Sequence, residues 1–387
     1  MKIYMTKLIL LLTSLCLLSI SYVSANDWKK HVIMEKGSNL TALAADYNGD
    51  DQVDVITSYS GKVSLFIAPN WNEVVLYEFD KTKDKAIHSE TLDIDGDGDM
   101  DWIGSAASGM PFWLENPGSN DVSVKPWLSR VIDDEIRGIH CVLKADVDND
   151  GRLDIIINNF KSEGDLGGSI FWLEIPQDVK QEKAWERHAF AYHDAHGGSH
   201  YFGYGDIDGD GIIEIAAAAK GEPFQQGNWF AYWTRPKNID NAETKPWTKS
   251  LIADQRIGAT NIKIGDVNGD GYNDFVASHG HGVGVVWFEA PHWKEHAIDA
   301  KIKSPHSLEL VDLDGDGNLD VASCGFESQR LSIYINNGTG NFTQLDLDLE
   351  QESYDLRAVD MDSDGDLDLL NAGRATGNVA WYENPTI

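Results

Sequence analysis

A nine-residue acidic phrase occurs seven times along the chain, and nothing else in the sequence restricts its fold so tightly. One copy reads Asp-Ile-Asp-Gly-Asp-Gly-Ile-Ile-Glu from Asp206, with carboxylates at positions 1, 3, 5 and 9 and glycines that let the turn close. Oxygen donors at alternate positions of a tight loop suit a hard cation such as calcium. The candidate ligands are Asp46, Asn48, Asp50 and Asp54; Asp93, Asp95, Asp97 and Asp101; Asp146, Asp148, Asp150 and Asp154; Asp206, Asp208, Asp210 and Glu214; Asp266, Asn268, Asp270 and Asp274; Asp312, Asp314, Asp316 and Asp320; Asp360, Asp362, Asp364 and Asp368. A lone match to such a pattern arises easily by chance. Seven copies starting 46–60 residues apart do not, and periods near fifty residues mark propellers or arrays.

A repeating unit can be written around each loop. One strand leads in and an apolar second strand follows, as in 153–157. A third carries an aromatic-Glu-x-Pro phrase (112–117, 171–176, 286–291, 381–385), and a fourth carries Trp-x-x-x-apolar (127–132, 185–190, 247–252, 293–298). β-Branched and aromatic enrichment with Gly/Pro punctuation predicts strands, and four antiparallel strands make one propeller blade. The seventh unit stops after its third strand, while 28–33 near the N-terminus matches a fourth. The expected fold is therefore all-β, a seven-bladed propeller spanning 26–387 whose N-terminal strand closes the last blade and leaves no open edge there.

Residues 1–25 read as a signal peptide: Lys2 and Lys7, an apolar core over 8–20, and Val23-Ser24-Ala25 as a cleavage site. Export, secreted or periplasmic, is the expectation, with no membrane insertion because no later stretch is long and apolar enough. Cys141 and Cys324 remain after cleavage and read as buried thiols rather than a disulfide framework. A net charge of −32 argues against nucleic acid as a partner. A monomer is expected.

Because the acidic loops join first and second strands, they share one face of the disc. The starts of the first strands then share the opposite face, around the central channel. Those starts carry His88, His140, His200, Asn261, His306 and Arg357. Arg137, Arg256, Lys303 and Tyr354 precede them, and Lys220, His279, His281 and Arg374 follow second strands on the same face. His193 and His196 lie in a Gly-rich insertion, whereas His31, His188 and His296 repeat in the fourth strand and read as structural. Any one strand-end histidine is usually just a hydrogen-bonded residue; several around one channel mouth suggest a site. No Gly-x-Ser-x-Gly, His-Glu-x-x-His or Walker pattern occurs.

With loops such as 93–101 and 312–320, the chain resembles the VCBS/FG-GAP repeat family over its mature length. That resemblance implies a seven-bladed propeller with structural calcium in the blade loops. The histidines at the strand starts are similar to those expected of propeller enzymes that cleave sugars by β-elimination: ulvan lyases, L-rhamnose-α-1,4-D-glucuronate lyases and aldos-2-ulose dehydratases. The implied activity is carbon–oxygen lysis of an acidic polysaccharide or oligosaccharide. Elimination from a uronate needs its carboxylate neutralised, which arginine does bidentately, and a neutral histidine to take the proton. The candidates are His200 and His140 as base and acid, His88 and His306 as their partners, Arg137 and Arg357 as carboxylate clamps, and Tyr201 as an alternative acid. A divalent metal held by His88, His140, His200 and His306 is a rival use of the ring. The alternatives are a lectin-like carbohydrate-binding propeller, which would repeat its pocket in every blade, or an adhesion module with no small ligand.

Overall fold

Strands that bury both faces read as unbroken apolar runs, and the second strands here do so: Asp154–Asn158 and Glu214–Ala219 are buried at every residue. The computed structural model describes residues 24, 27–159, 166–181, 184–224, 227–236 and 246–386. The expected signal peptide lies outside these apart from Ser24. The described residues form seven four-stranded antiparallel sheets and no α-helix. Blade 1 is typical, with strands Ala42–Ala45, Asp54–Tyr59, Lys62–Ile67 and Asn72–Glu78 in sheet order. No helix among the described residues is long and apolar enough to cross a membrane.

The ring closes as the repeat pattern implies. Lys29–Met34 pairs antiparallel with Val379–Glu383, matching Lys29 to Glu383 and His31 to Trp381. Blade 7 thus draws three strands from the C-terminus and its outer strand from the N-terminus.

The core sits between blades. Seven hydrophobic clusters each join residues of two neighbouring blades, such as Phe230 of blade 4 with Phe275 and Phe288 of blade 5. The repeated tryptophans explain the fourth-strand phrase. Trp28, Trp127, Trp185 and Trp247 each stand just before the outer strand and are buried in the cluster facing the preceding blade. His31, His188 and His296 stack on Trp381, Trp172 and Trp287 at 4.0–4.4 Å. Cys141 and Cys324 are buried and unpaired.

An asparagine at the end of the third strand in blades 2, 6 and 7 has a role that the sequence did not reveal. Asn336 Nδ2 donates to Leu319 O in its own blade (3.0 Å) and to Val267 O in the preceding one (2.7 Å). Asn116 and Asn384 make the same two bonds in blades 2 and 7. Each is a latch between adjacent acidic loops. Asn336→Ala leaves two carbonyls unpaired at a buried seam, and a loss of about 3 kcal/mol in denaturant unfolding is expected. A loss below about 0.5 kcal/mol, the range of ordinary surface substitutions, would show that the seam does not depend on this latch.

Candidate functional site

On one face, the acidic loops are built by their own backbone. Asp206 accepts N–H bonds from Gly209 (2.7 Å) and Gly211 (2.9 Å), both glycines having positive φ (75° and 84°). The ninth residue folds inward: Asp101 accepts Ile94 N–H at 3.0 Å and Asn116 N–H at 2.7 Å, tying loop to third strand. Burial pushes the Asp101 carboxyl up to about 8 against those two bonds, with the charges of Asp95 and Asp97 adding to the rise. Glu214 is raised to about 7, again chiefly by burial. Carboxylate oxygens of Asp93, Asp95 and Asp101 lie within 4.8 Å of one another, as do those of Asp146, Asp148 and Asp154 and of Asp206, Asp208 and Asp210. Such crowding of carboxylate oxygens around one centre fits a calcium ion. One loop already holds a cation: Lys180 Nζ stands 2.6 Å from Asp95 Oδ2.

On the opposite face, the first strands begin irregularly. The ladders shift register between Ala86 and Ser89, between Ser199 and Phe202, and between Pro305 and Ser307. His88, His200 with Tyr201, and His306 occupy those shifts, and a bulge re-aims side chains. Tyr201 N–H, released from its own ladder, donates to Thr260 O of blade 5 at 3.0 Å. His140 precedes its strand, Val142–Ala145. Asn158, fully buried, accepts the N–H groups of His140 (2.7 Å) and Cys141 (3.1 Å). Its amide donates to the carbonyls of Ser199 (2.8 Å) and His200 (3.1 Å). Asn158 thereby sets His140 and His200 side by side. Sequence reasoning passed over it; its one signal was a polar residue ending an apolar second strand.

The channel mouth is filled rather than open. The rings of His140 and His200 lie 4.0 Å apart, and His306 is 6.0 and 5.8 Å from them. Tyr354 stacks on His306 at 3.8 Å, and its hydroxyl reaches His140 Nε2 at 3.2 Å from the far side of the ring. Tyr201 is buried beneath, edge-on to His88, His140 and His306. Exposures of 1–3% for His140, His200 and His306 mean that a sugar cannot rest on them directly. Burial depresses the pKa of all three, and of His88, well below the ordinary histidine value.

The remaining candidates divide between two levels. Below the histidines, His88 belongs to a charge network: Arg357 contacts His88 Nε2 (2.9 Å) and donates to Ser89 O (2.8 Å), Asp355 (3.2 Å) and Glu90 (3.3 Å). The expectation that Arg357 clamps a substrate at the mouth meets a guanidinium already surrounded by these acceptors, its charge reinforced by Asp355 and Glu90 despite burial. This level lines a cavity of about 40 Å³ with Asn261, Lys263 and Glu309, far below the several hundred Å³ of ordinary ligand pockets. Arg137 is half-buried, with Nη1 donating to Ile136 O at 2.9 Å. Above the histidines, His281 is exposed and its Nε2 meets His200 Nε2 at 2.9 Å. Partial desolvation, with Lys220 and Arg374 adding, holds His281 at about 4. Arg374 also lies over the rings of Phe326 (3.9 Å) and Tyr354 (4.9 Å). His279 bonds Gly284 O, and His193 bonds Gly167 O.

Seven four-stranded blades around a plugged channel define a seven-bladed β-propeller. The FG-GAP-like repeat profile matches residues 93–157, 206–277 and 312–371, and the chain belongs to that family. It is 26% identical to Drosophila melanogaster integrin alpha-PS2 over 178 residues, 35% of this chain and 12% of that protein. It is also 26% identical to integrin alpha-PS5 over 159 residues, 35% of this chain and 16% of that protein. The chain thus spans a small part of the length of these relatives. Among solved structures it is similar to BBS1N in complex with ARL6DN, with TM-score 0.60, 10% identity, and 92% and 96% of the two chains covered. A streptogramin B lyase gives TM-score 0.53 at 10% identity, covering 92% and 97%. At such identity these two likenesses show the fold alone.

Proposed function

We propose that this protein is an exported binding propeller of the adhesion type, with calcium bracing its acidic loops and an acidic saccharide bound over the opposite face. The observation that carries the reading is the placing of His281 against His200 and of Arg374, itself 3.7 Å from the buried Glu352, over Tyr354, with Lys220 also acting on His281, in a chain of net charge −32. Carboxylates bind best where cations stand in partly dry surroundings. The local likeness to integrin alpha chains supports a binding role. The carboxylates of the acidic loops would hold the calcium, which supplies a rigid frame rather than a reactive centre.

A second reading, β-elimination of a uronate, is favoured by His281 among the channel-mouth histidines: it is exposed, and Lys220 and Arg374 act on it. Lys220 and Arg374 would neutralise the uronate carboxylate, and His281 would take the adjacent proton. His140, His200, His88 and His306 would then support the site from below.

One experiment separates the readings. Calorimetric titration with oligouronates and neutral oligosaccharides is run beside the ultraviolet absorbance of the unsaturated elimination product. Saturable binding of uronates only, with constant absorbance, is the expected result, and Lys220→Ala or Arg374→Ala should weaken it about tenfold. Rising absorbance that His281→Ala abolishes establishes the second reading instead. Absence of binding to every acidic saccharide overturns both.

A further inference from the structure

We propose that the channel plug is a transition-metal site in which His140, His200 and His306 bind an ion of the zinc class through one ring nitrogen each. This goes beyond the saccharide reading and does not depend on it.

Hydrogen bonds assign the tautomers. His200 Nδ1 lies 3.1 Å from Gly198 O, and His306 Nδ1 lies 3.1 Å from Tyr354 O. A carbonyl only accepts, so both Nδ1 atoms carry the proton and both Nε2 atoms present lone pairs. Such backing by a backbone carbonyl is how proteins orient metal-binding histidines. His140 Nε2 lies 3.2 Å from the Tyr354 hydroxyl, a group that both donates and accepts, and an ion bound through that nitrogen replaces this contact.

Three ring nitrogens gather at one point. One ring nitrogen from each of His140, His200 and His306 lies within 4.8 Å of the others. Bonds of about 2.0–2.1 Å to a tetrahedral zinc place ligand atoms about 3.3 Å apart, so small side-chain rotations complete the site. His306 Nε2 is buried and has no hydrogen-bond partner. Leaving such an acceptor unsatisfied in a residue 2% exposed is costly, and a metal ion satisfies it.

The donor set selects the metal. Imidazole suits zinc, copper, nickel and cobalt, while calcium and magnesium need oxygen. The three imidazoles are neutral, the form that ligates, so the ion keeps its positive charge. His281 Nε2 meets His200 Nε2 at 2.9 Å from the solvent side, so an ion on His200 displaces that contact and leaves His281 beside the fourth position. His88 is outside the set because Val142 N–H and Arg357 engage its two nitrogens.

The test uses the full chain, purified without a histidine tag, stripped with chelator and reloaded with excess calcium plus zinc or cobalt. After desalting, about one equivalent of zinc should remain, as a three-histidine site requires. The cobalt form should show the intense visible band of tetrahedral nitrogen ligation. His306→Ala should lower zinc affinity about a hundredfold or more while leaving the response to calcium unchanged. Loss of all zinc on desalting, or the pale spectrum of octahedral oxygen ligation, overturns the proposal. So does a folded His306→Ala chain that binds zinc as the parent does. If that variant does not fold, the parent's stoichiometry and cobalt spectrum decide. Saccharide binding without zinc retention would remove this inference and leave the saccharide reading standing.

Discussion

Chelation of divalent cations is expected to lower the melting temperature by roughly 10 °C or more. A site kept at a hundred times its dissociation constant adds about 2.7 kcal/mol. Three such loops would add about 8 kcal/mol, and one kcal/mol shifts a large domain by about 2 °C. The loops meet the requirement for this effect because their carboxylates are crowded and partly desolvated. Asp101, Asp154, Glu214, Asp320 and Asp368 are pushed up to about 7 or 8, in each case first by burial. A cation would relieve that repulsion. Calorimetry in excess chelator, with metal loss verified by elemental analysis, measures the shift; an unchanged melt would remove calcium from the account of stability. Replacing Asp206 and Asp208 together by Asn should lose one loop's share only, since each loop closes on its own backbone.

Deleting residues 27–34 should abolish the cooperative melt and drive association. The deletion removes the outer strand of blade 7 and bares Val379–Glu383, a strand with unpaired backbone groups along one side. It also removes Trp28 from the cluster between blades 6 and 7, the stacking of His31 on Trp381, and the Lys30 contacts with Asp348 and Gln351. Burial of one large aromatic alone contributes about 2–3 kcal/mol. Light scattering and calorimetry check this, and addition of the excised segment as a peptide should restore the monomer. A truncated chain that stays monomeric at the parental melting temperature would show that closure does not depend on this strand.

Both expectations rest on features that were legible in the sequence, because they are local and repeat. The acidic phrase needs only its own nine residues to close, and its seven copies fix the number of blades. The unmatched fourth strand at the N-terminus and the unfinished seventh unit determine the closure, since an exposed edge is costly. The tryptophan spacing was read as blade packing, and burial of Trp28, Trp127, Trp185 and Trp247 agrees.

The candidate site was legible only as a set of residue types sharing a face. Its side-chain arrangement was decided by contacts between blades, which have no period in the sequence. Bulges at Ser199–Phe202 and Pro305–Ser307 turn His200 and His306 inward, and Asn158 of blade 3 fixes His140 against His200 of blade 4. Tyr354 crosses from blade 7 to reach His140 in blade 3. The same ring geometry draws Arg357 down to Glu90 and Asp355 and leaves His281, Lys220 and Arg374 above the plug. What the sequence by itself determined is therefore the blade, its number and its acidic loops, because hydrophobic period and turn chemistry act over a few residues. Only the tertiary structure decided which histidines meet and which charges face solvent. Those outcomes depend on how seven separately encoded sheets share one crowded axis, where a bulge of one residue re-aims a side chain.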